Sequence, residues 1–476
     1  MKKQISFYFF FCIALVGFAQ DTASVDTARL SQIRYDTDLL TAEFHRDRRE
    51  AVRKQMPDNS VAVIFSAPVR NFANDVDYQY HQNPNFYYLT GNLEPNSMLI
   101  ITKNNIDIDG KKSNEFLFVQ NRNPFAEVWT GRRLGKDGAE KLLGFSAVFT
   151  SVDFKKSKIN FKKFEFVLML PYPEGVVADK YDADDLAGLI EAVKSKTDTL
   201  DNPLDDYSLR KILASLRSVK QDEEMKLMRK AIDISVEAHI EMMKSSEPGM
   251  HEYEVQSAGE YVFKKNGSEY VGYPSICGGR ENGCVLHYTT NRKQLSGNDL
   301  ILLDMGAEYH GYTADVTRTF PMNGKFSPEQ KAIYELVLQS QDSGFGKCKA
   351  GISFNSPHLA ATDVIADGLL RLGIIKDKKE VTKYFMHKTS HYLGLDVHDP
   401  GTYTTLKPGN VITVEPGIYI AEGSDCDKKW WNIGVRIEDD VLITETGYVN
   451  LSARAPRTVA DIEKTMLQKS IFFINK

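Results

Sequence analysis

The sequence predicts two folded units in series, an α/β domain and then an α+β domain with its own sheet. Three observations carry this. The chain has 476 residues, more than one ordinary domain holds. Short apolar runs bounded by turn-forming residues dominate the first half, and near Asp205 they give way to a long segment of helical period. The composition, 42% hydrophobic and 26% charged, is that of a globular chain with ample core material.

In chain order, the first segment is set aside. Lys2 and Lys3 precede the apolar stretch Ile5 to Phe18, with small residues at Gly17 and Ala19, which predicts a signal peptide over 1–19 cleaved after Ala19. A buried strand or a membrane anchor is the bland alternative. Phe11 stands before Cys12 where a lipoprotein needs a small residue. The expected mature protein is exported, periplasmic or secreted, and no later stretch has the roughly 20 apolar residues of a membrane helix. Removing Lys2 and Lys3 with no acid takes the formal charge from −5 to −7, which argues against nucleic acid as a partner.

Residues 20–205 are expected to form the α/β domain. Val61 to Phe65, Met98 to Thr102, Phe116 to Val119 and Phe166 to Leu170 are predicted buried strands, with helices over Leu39 to Gln55 and Asp184 to Lys194. Residues 206–476 are expected to form the second domain. Leu213, Leu216, Met225, Met228, Ile232, Val236 and Ile240 recur at helical spacing, with a break near Val219 and a stop at Pro248-Gly249. A helix over Tyr253 to Lys265 follows, and further helices lie around Glu329 to Gln341 and Ser356 to Leu372. Leu300 to Asp304, Val411 to Glu415, Val435 to Ile437 and Val441 to Thr444 read as strands. Cys277 and Cys284 could pair, but no cysteine sits in a CxxC spacing, so a zinc-thiolate site is not expected.

Five residues stand out as potential metal ligands. Asp304 ends an apolar strand, Asp315 follows eleven residues later in YTADVTRTF, His391 lies in the stretch Met386 to Asp399, Glu415 ends a strand before Pro416-Gly417, and Glu438 lies in GVRIEDDV. Any one acid at a strand end is commonly just solvated. Four of them in or beside buried segments are costly unless paired or metal-bound. Oxygen donors with one imidazole suit Mn²⁺, Co²⁺ or Fe²⁺ better than a thiolate-seeking ion, and four carboxylates exceed what one ion needs. His287, His387 and His398 add groups able to donate or pass a proton near neutral pH. His387 and His391 would share a face if their stretch were helical.

The segments ENGCVLHYTTN, LLDMGAEYHGYTADVTRTFPMNGKFSPEQ, HYLGLDVHDPG, VEPGIYI and GVRIEDDVLIT resemble, in order and spacing, the pita-bread (creatinase/aminopeptidase-like) metallopeptidases, and among them the aminopeptidase P (Xaa-Pro aminopeptidase) family. QNPNFYYLTGNLEP and EVWTGRRLG are similar to that family's N-terminal domain. The resemblance implies a pita-bread catalytic domain with two divalent ions, most often Mn²⁺, with Co²⁺ or Zn²⁺ as alternatives. It implies that Asp304 chelates one ion, that Asp315 and Glu438 bridge both, and that His391 and Glu415 complete the second. Glu415 would handle the proton of a metal-bridging hydroxide that attacks the Xaa-Pro bond. His287, His387 and His398 would bind substrate and shuttle protons, Arg436 would orient the site, and Tyr419 would line it. The implied partners are peptides with proline in second position, and the implied assembly is a homodimer or homotetramer. The 23-residue spacing of Glu415 and Glu438 matches this family, whereas many prolidases carry an insertion there. A prolidase and a catalytically silent peptide-binding protein remain the alternatives. Between His398 and Glu415 the chain is shorter than bacterial relatives and lacks an arginine-bearing stretch, which leaves the preference for the residue after proline open.

Overall fold

The computed structural model describes residues 33–473 apart from 179–184, 199, 201 and 203. The expected signal peptide, residues 1–19, lies outside the described residues. Among the described residues no helix is long and apolar enough to cross a membrane.

The N-terminal unit is a five-stranded mixed sheet. Its strands are β1 (Ser60–Phe65), β2 (Met98–Ile108), β3 (Lys111–Val119), β4 (Val148–Thr150) and β5 (Phe166–Met169), in the order β4-β3-β2-β1-β5. β1 runs antiparallel to β2, with Phe65 opposite Met98, and parallel to β5, with Val61 opposite Val167. The pleat explains why β1 is apolar throughout. Val61, Val63 and Phe65 enter one core while Ala62 and Ile64 enter another on the opposite face. The first core is closed by the helix Leu186–Thr197. The second takes Phe44 and Val52 of the helix Ala42–Gln55, which starts where the Thr41 hydroxyl accepts from the Phe44 N–H at 3.2 Å. It also holds Leu213, Met228, Leu393 and Val411, so the two units share one core.

In the C-terminal unit the helical segment breaks as its period suggests, into Asp206–Arg217 and Asp222–Ser245, and Glu252–Lys265 follows. A three-stranded antiparallel sheet comprises β6 (Ile276–Gly279), β7 (Leu300–Asp304) and β8 (Thr317–Pro321), with β7 central. Ile301 and Leu303 point into the main core, packed with Ile333 and Val337 of the helix Pro328–Phe345. Leu302 points the other way, toward Ile276 and Tyr419, and by the same alternation Asp304 shares the face of Leu302. The strands that follow include β9 (Val411–Val414), β10 (Gly417–Ile420), β11 (Ile433–Arg436) and β12 (Asp439–Ile443). β9 pairs with β12 and β10 with β11, both antiparallel. Glu415 falls in the break between β9 and β10, and Glu438 falls in the break between β11 and β12, bridged to Thr317.

Two sequence expectations need correction. The stretch carrying His387 and His391 is irregular rather than helical, because each half is tied to a different neighbour: Tyr392 bridges Ile412 on one side and Asp399 on the other. Cys277 and Cys284 do not pair. Cys277 sits on β6 with its Sγ 3.7 Å from the Met305 Sδ, and all four cysteines among the described residues are free thiols.

Candidate active site

All ten residues singled out above for chemistry reach one place. Nine of them line a cavity of about 700 Å³: His287, Asp304, Asp315, His387, His391, His398, Glu415, Arg436 and Glu438. The tenth, Tyr419, is buried behind it and is held by two of the nine. The strand breaks account for this convergence. Asp304 ends β7, Asp315 precedes β8, and Glu415 and Glu438 occupy the two breaks, so four carboxylates emerge where the sheets stop pairing.

Each ligand candidate is held by a neighbour. The Arg436 Nη2 donates to Asp304 Oδ2 at 2.5 Å, and the Thr317 hydroxyl donates to Glu438 Oε2 at 2.6 Å. The Asp315 N–H donates to Asp440 Oδ2 at 3.1 Å. The Thr413 hydroxyl accepts from the His391 N–H and donates to Glu415 Oε1, both at 3.2 Å. The His391 Nδ1 donates to the Tyr392 carbonyl at 3.0 Å, which turns its Nε2 to within 3.3 Å of Asp315 Oδ2. Ligand atoms of Asp315, His391 and Glu438 all lie within 4.8 Å of one another.

A second chain of contacts runs behind the carboxylates. Arg436 Nη1 donates to the Tyr419 hydroxyl at 2.8 Å, and that hydroxyl donates to His387 Nε2 at 2.8 Å. The His387 Nδ1 donates to the Lys388 carbonyl at 2.8 Å. Burial, reinforced by Arg436, lowers the His387 ring to about 4, so it is neutral at pH 7. His398 packs edge-on to His391 with centroids 4.4 Å apart, and burial, with the charged His391 beside it, lowers it too.

Sequence reasoning missed Tyr273. Its hydroxyl lies 2.6 Å from both Asp304 Oδ1 and Asp315 Oδ1. One hydroxyl proton serves one acceptor, so the other close contact needs a proton on a carboxylate. That agrees with Asp315, which burial and the Asp304 charge push up. Nothing in VGYPS marks this tyrosine, because its partners lie 31 and 42 residues away.

The electrostatics identify what the site is suited to hold. Burial and three neighbouring carboxylates push Glu438 well above the carboxylate range. Burial and the Asp315 charge raise Glu415 to about 7 against the pull of His391 and Arg436. Burial pushes Asp304 up too, but Arg436 and the Tyr273 hydrogen bond hold it below its ordinary value. His391, despite burial, is raised to about 9 by Asp315 and Glu415. Without metal, then, the site keeps protons where cations belong. Four oxygen donors and one imidazole, short of positive charge, fit divalent ions of the harder kind.

The metal-free protein should lose stability as pH rises. Glu415, raised from 4.5 to about 7, holds a proton in the folded state that the unfolded chain releases earlier, so its contribution disappears as pH climbs through 7. His391, raised from 6.5 to about 9, contributes fully below 6.5 and loses that contribution through 9. Thermal melts of chelated protein at pH 5.5, 7 and 9 should show a falling Tm, and divalent metal should restore most at pH 9. A Tm that is level or rising in chelator would contradict this charge distribution.

A buried cavity of carboxylates and histidines at the ends of paired strands is the site of a metal-dependent hydrolase. The model of the metallopeptidase family M24 matches residues 226–445, and that of the aminopeptidase P N-terminal domain matches residues 45–163. The chain is 37% identical to the Xaa-Pro aminopeptidase of Escherichia coli K12 over 90% of this chain and 99% of the relative. It is 33% identical to human Xaa-Pro aminopeptidase 3 over 93% of this chain and 88% of that relative. Solved structures share the fold, two of them as follows. A variant of Escherichia coli aminopeptidase P in complex with substrate superposes with a TM-score of 0.81 at 34% identity, covering 90% of this chain and 99% of that one. Proline aminopeptidase P II from Yersinia pestis gives 0.80 at 35% identity, covering 90% and 100%. The chain belongs to the Xaa-Pro aminopeptidase family, with an aminopeptidase P N-terminal domain and a pita-bread M24 metallopeptidase domain.

Proposed function

We propose that this chain hydrolyses the Xaa-Pro bond at peptide N-termini with two divalent ions, Mn²⁺ with Co²⁺ or Zn²⁺ as substitutes. The convergence of Asp304, Asp315, His391, Glu415 and Glu438 in one buried cavity carries this proposal. Asp304 would hold one ion, Asp315 and Glu438 both, and His391 and Glu415 the second. When bound, such a pair supplies activation of the attacking water as a hydroxide and polarisation of the scissile carbonyl.

The side chains supply the rest. Proline presents a tertiary amide, so its nitrogen must gain a proton as the C–N bond breaks. Glu415, opening into the cavity, takes a proton from the attacking water and returns one to that nitrogen. His287 and His398, lining the same wall, hold the peptide beside the carboxylates. Neutral His387 is held through both ring nitrogens, between the Tyr419 hydroxyl and the Lys388 carbonyl, and so fixes the wall beside Glu415. Arg436 balances Asp304 and keeps Tyr419 in register.

Export to the periplasm or beyond is supported by Lys2, Lys3 and the apolar stretch to Phe18. Assembly as a homodimer or homotetramer is supported by the exposed Phe125, Val128 and Trp129 of the N-terminal unit.

The test is hydrolysis of an Xaa-Pro dipeptide and an Xaa-Pro-Xaa tripeptide by Mn²⁺-loaded protein. The tripeptide should be cut at least about tenfold faster, as kcat/KM. Cleavage of the dipeptide alone would make the chain a prolidase. No cleavage with any divalent metal would leave a peptide-binding protein and overturn the proposal.

A further inference from the structure

An arginine and a lysine line the cavity, Arg436 and Lys388. Arg436 is committed: it is buried, and its guanidinium is used by Asp304, Tyr419 and Thr317. Lys388 is not committed. It is exposed at the rim, and among the described residues its ammonium has no hydrogen bond or ion pair. Its backbone is nevertheless fixed, because its carbonyl accepts the His387 Nδ1 proton at 2.8 Å. Two residues on, Ser390 lines the same cavity with a side chain only 8% exposed, and its hydroxyl has no partner among the described residues. The cavity lining past His387 therefore carries a free ammonium and, two residues on, a buried hydroxyl with no partner among the described residues.

With divalent ions balancing the four carboxylates, the Lys388 ammonium is the uncommitted cation of this lining and the group an anionic peptide end would meet. A peptide drawn in by its N-terminal amine puts its scissile carbonyl at the carboxylates. Extended chain advances at most about 3.6 Å per residue, so the carboxylate of the residue after proline lies about 7 Å further on. A lysine stem beginning next to His387 spans such a gap, and ammonium is a compact, flexible donor suited to a terminal carboxylate.

We propose that Lys388 is a specificity-determining residue that binds a peptide carboxylate on the C-terminal side of the proline, with the Ser390 hydroxyl beside it. The carboxylate is either the free C-terminus of a tripeptide or an acidic side chain following proline. This inference rests on the Xaa-Pro activity proposed above.

The test compares kcat/KM for Ala-Pro-Ala against its C-terminal amide, and for Ala-Pro-Asp-amide against Ala-Pro-Asn-amide. It uses the Mn²⁺-loaded wild type, Lys388→Met and Lys388→Arg. The wild type should favour the carboxylate in at least one pair by about two- to fivefold, the range for an ion pair open to solvent. The preference should lie mainly in KM and shrink at high salt. Lys388→Arg should keep it and Lys388→Met should bring the ratio close to one. A preference in the first pair alone identifies the C-terminus as the source, and in the second pair alone the side chain. An unchanged ratio in Lys388→Met, or a ratio of one in the wild type, overturns the proposal. Failure of every substrate to be cleaved would overturn the Xaa-Pro activity itself, which is a different result from cleavage without carboxylate preference.

Discussion

Replacing Asp315 by alanine should lower kcat/KM for an Xaa-Pro-Xaa tripeptide by at least about a thousandfold. The Asp315 carboxylate meets both the Tyr273 hydroxyl and the His391 Nε2, while its backbone N–H is fixed by Asp440. Removing it takes away an oxygen that both proposed ions would share, and ion-assisted stabilisation of several kcal/mol corresponds to about that rate factor. The fold should survive. Asp315 is itself pushed toward the protonated form by burial and Asp304, so the metal-free variant sheds a repulsion. Asp315→Asn, which keeps shape and loses charge, should also be severely impaired and should bind metal more weakly. A tripeptidase assay beside a thermal melt decides this. A folded Asp315→Ala enzyme within tenfold of wild type would remove Asp315 from the metal site.

Replacing Asp399 by alanine should cost about 3–5 kcal/mol of stability, measured by urea unfolding of the metal-free protein. Asp399 is 1% exposed and receives Arg217 Nη2 at 2.5 Å and Lys220 Nζ at 2.8 Å, both cations being nearly inaccessible to solvent. Burial opposes its charge, yet these two cations hold its carboxyl below the ordinary range. Without it two buried cations lose the carboxylate they share, and the half-exposed Asp396, 2.6 Å from Arg217, is the ion-pair partner that remains among the described residues. Adding Lys220→Met to Asp399→Ala removes one orphaned charge and should recover part of the loss, a coupling that a simple packing defect would not show. Activity should fall as well. The Asp399 carboxylate accepts from the Asp396 N–H at 3.3 Å, a bond within the loop that carries His398 to the cavity, and alanine removes it. A loss below about 1 kcal/mol, or a double variant no better than the single one, would contradict this account.

The site was more legible in the sequence than its support. The run Ile301-Leu302-Leu303-Asp304 announces itself, because an acid ending a doubly buried strand violates the usual pattern. Glu415 beside Pro416 and Glu438 inside GVRIEDDV show the same conflict between local burial and charge. Strand breaks, by contrast, are set by partners: Val414 pairs with Asp439 and Gly417 with Arg436, so where Glu415 and Glu438 leave their strands depends on residues about twenty positions away. Tyr273, Thr317 and the Arg217–Asp399 pair escape sequence reasoning for that reason. Arg217 meets Asp399 across 182 residues, and no periodicity encodes such a meeting. Four-residue spacing of His387 and His391 suggested a helical face, but tertiary bridging through Tyr392 overrides that local geometry. The β2–β3 hairpin extends to Ile108 and Lys111, past the apolar runs, because its tip is polar and only pairing reveals it.

Titration of the chelated protein with Mn²⁺, reading bound ions per chain by elemental analysis alongside tripeptide hydrolysis, tests the central claim most directly. Two ions should bind per chain, activity should rise with their occupancy, and Glu438→Gln should weaken binding and abolish activity together. Full activity with no bound ion, or two ions bound as tightly by Glu438→Gln as by the wild type, would contradict the assignment of this carboxylate cluster as the metal centre.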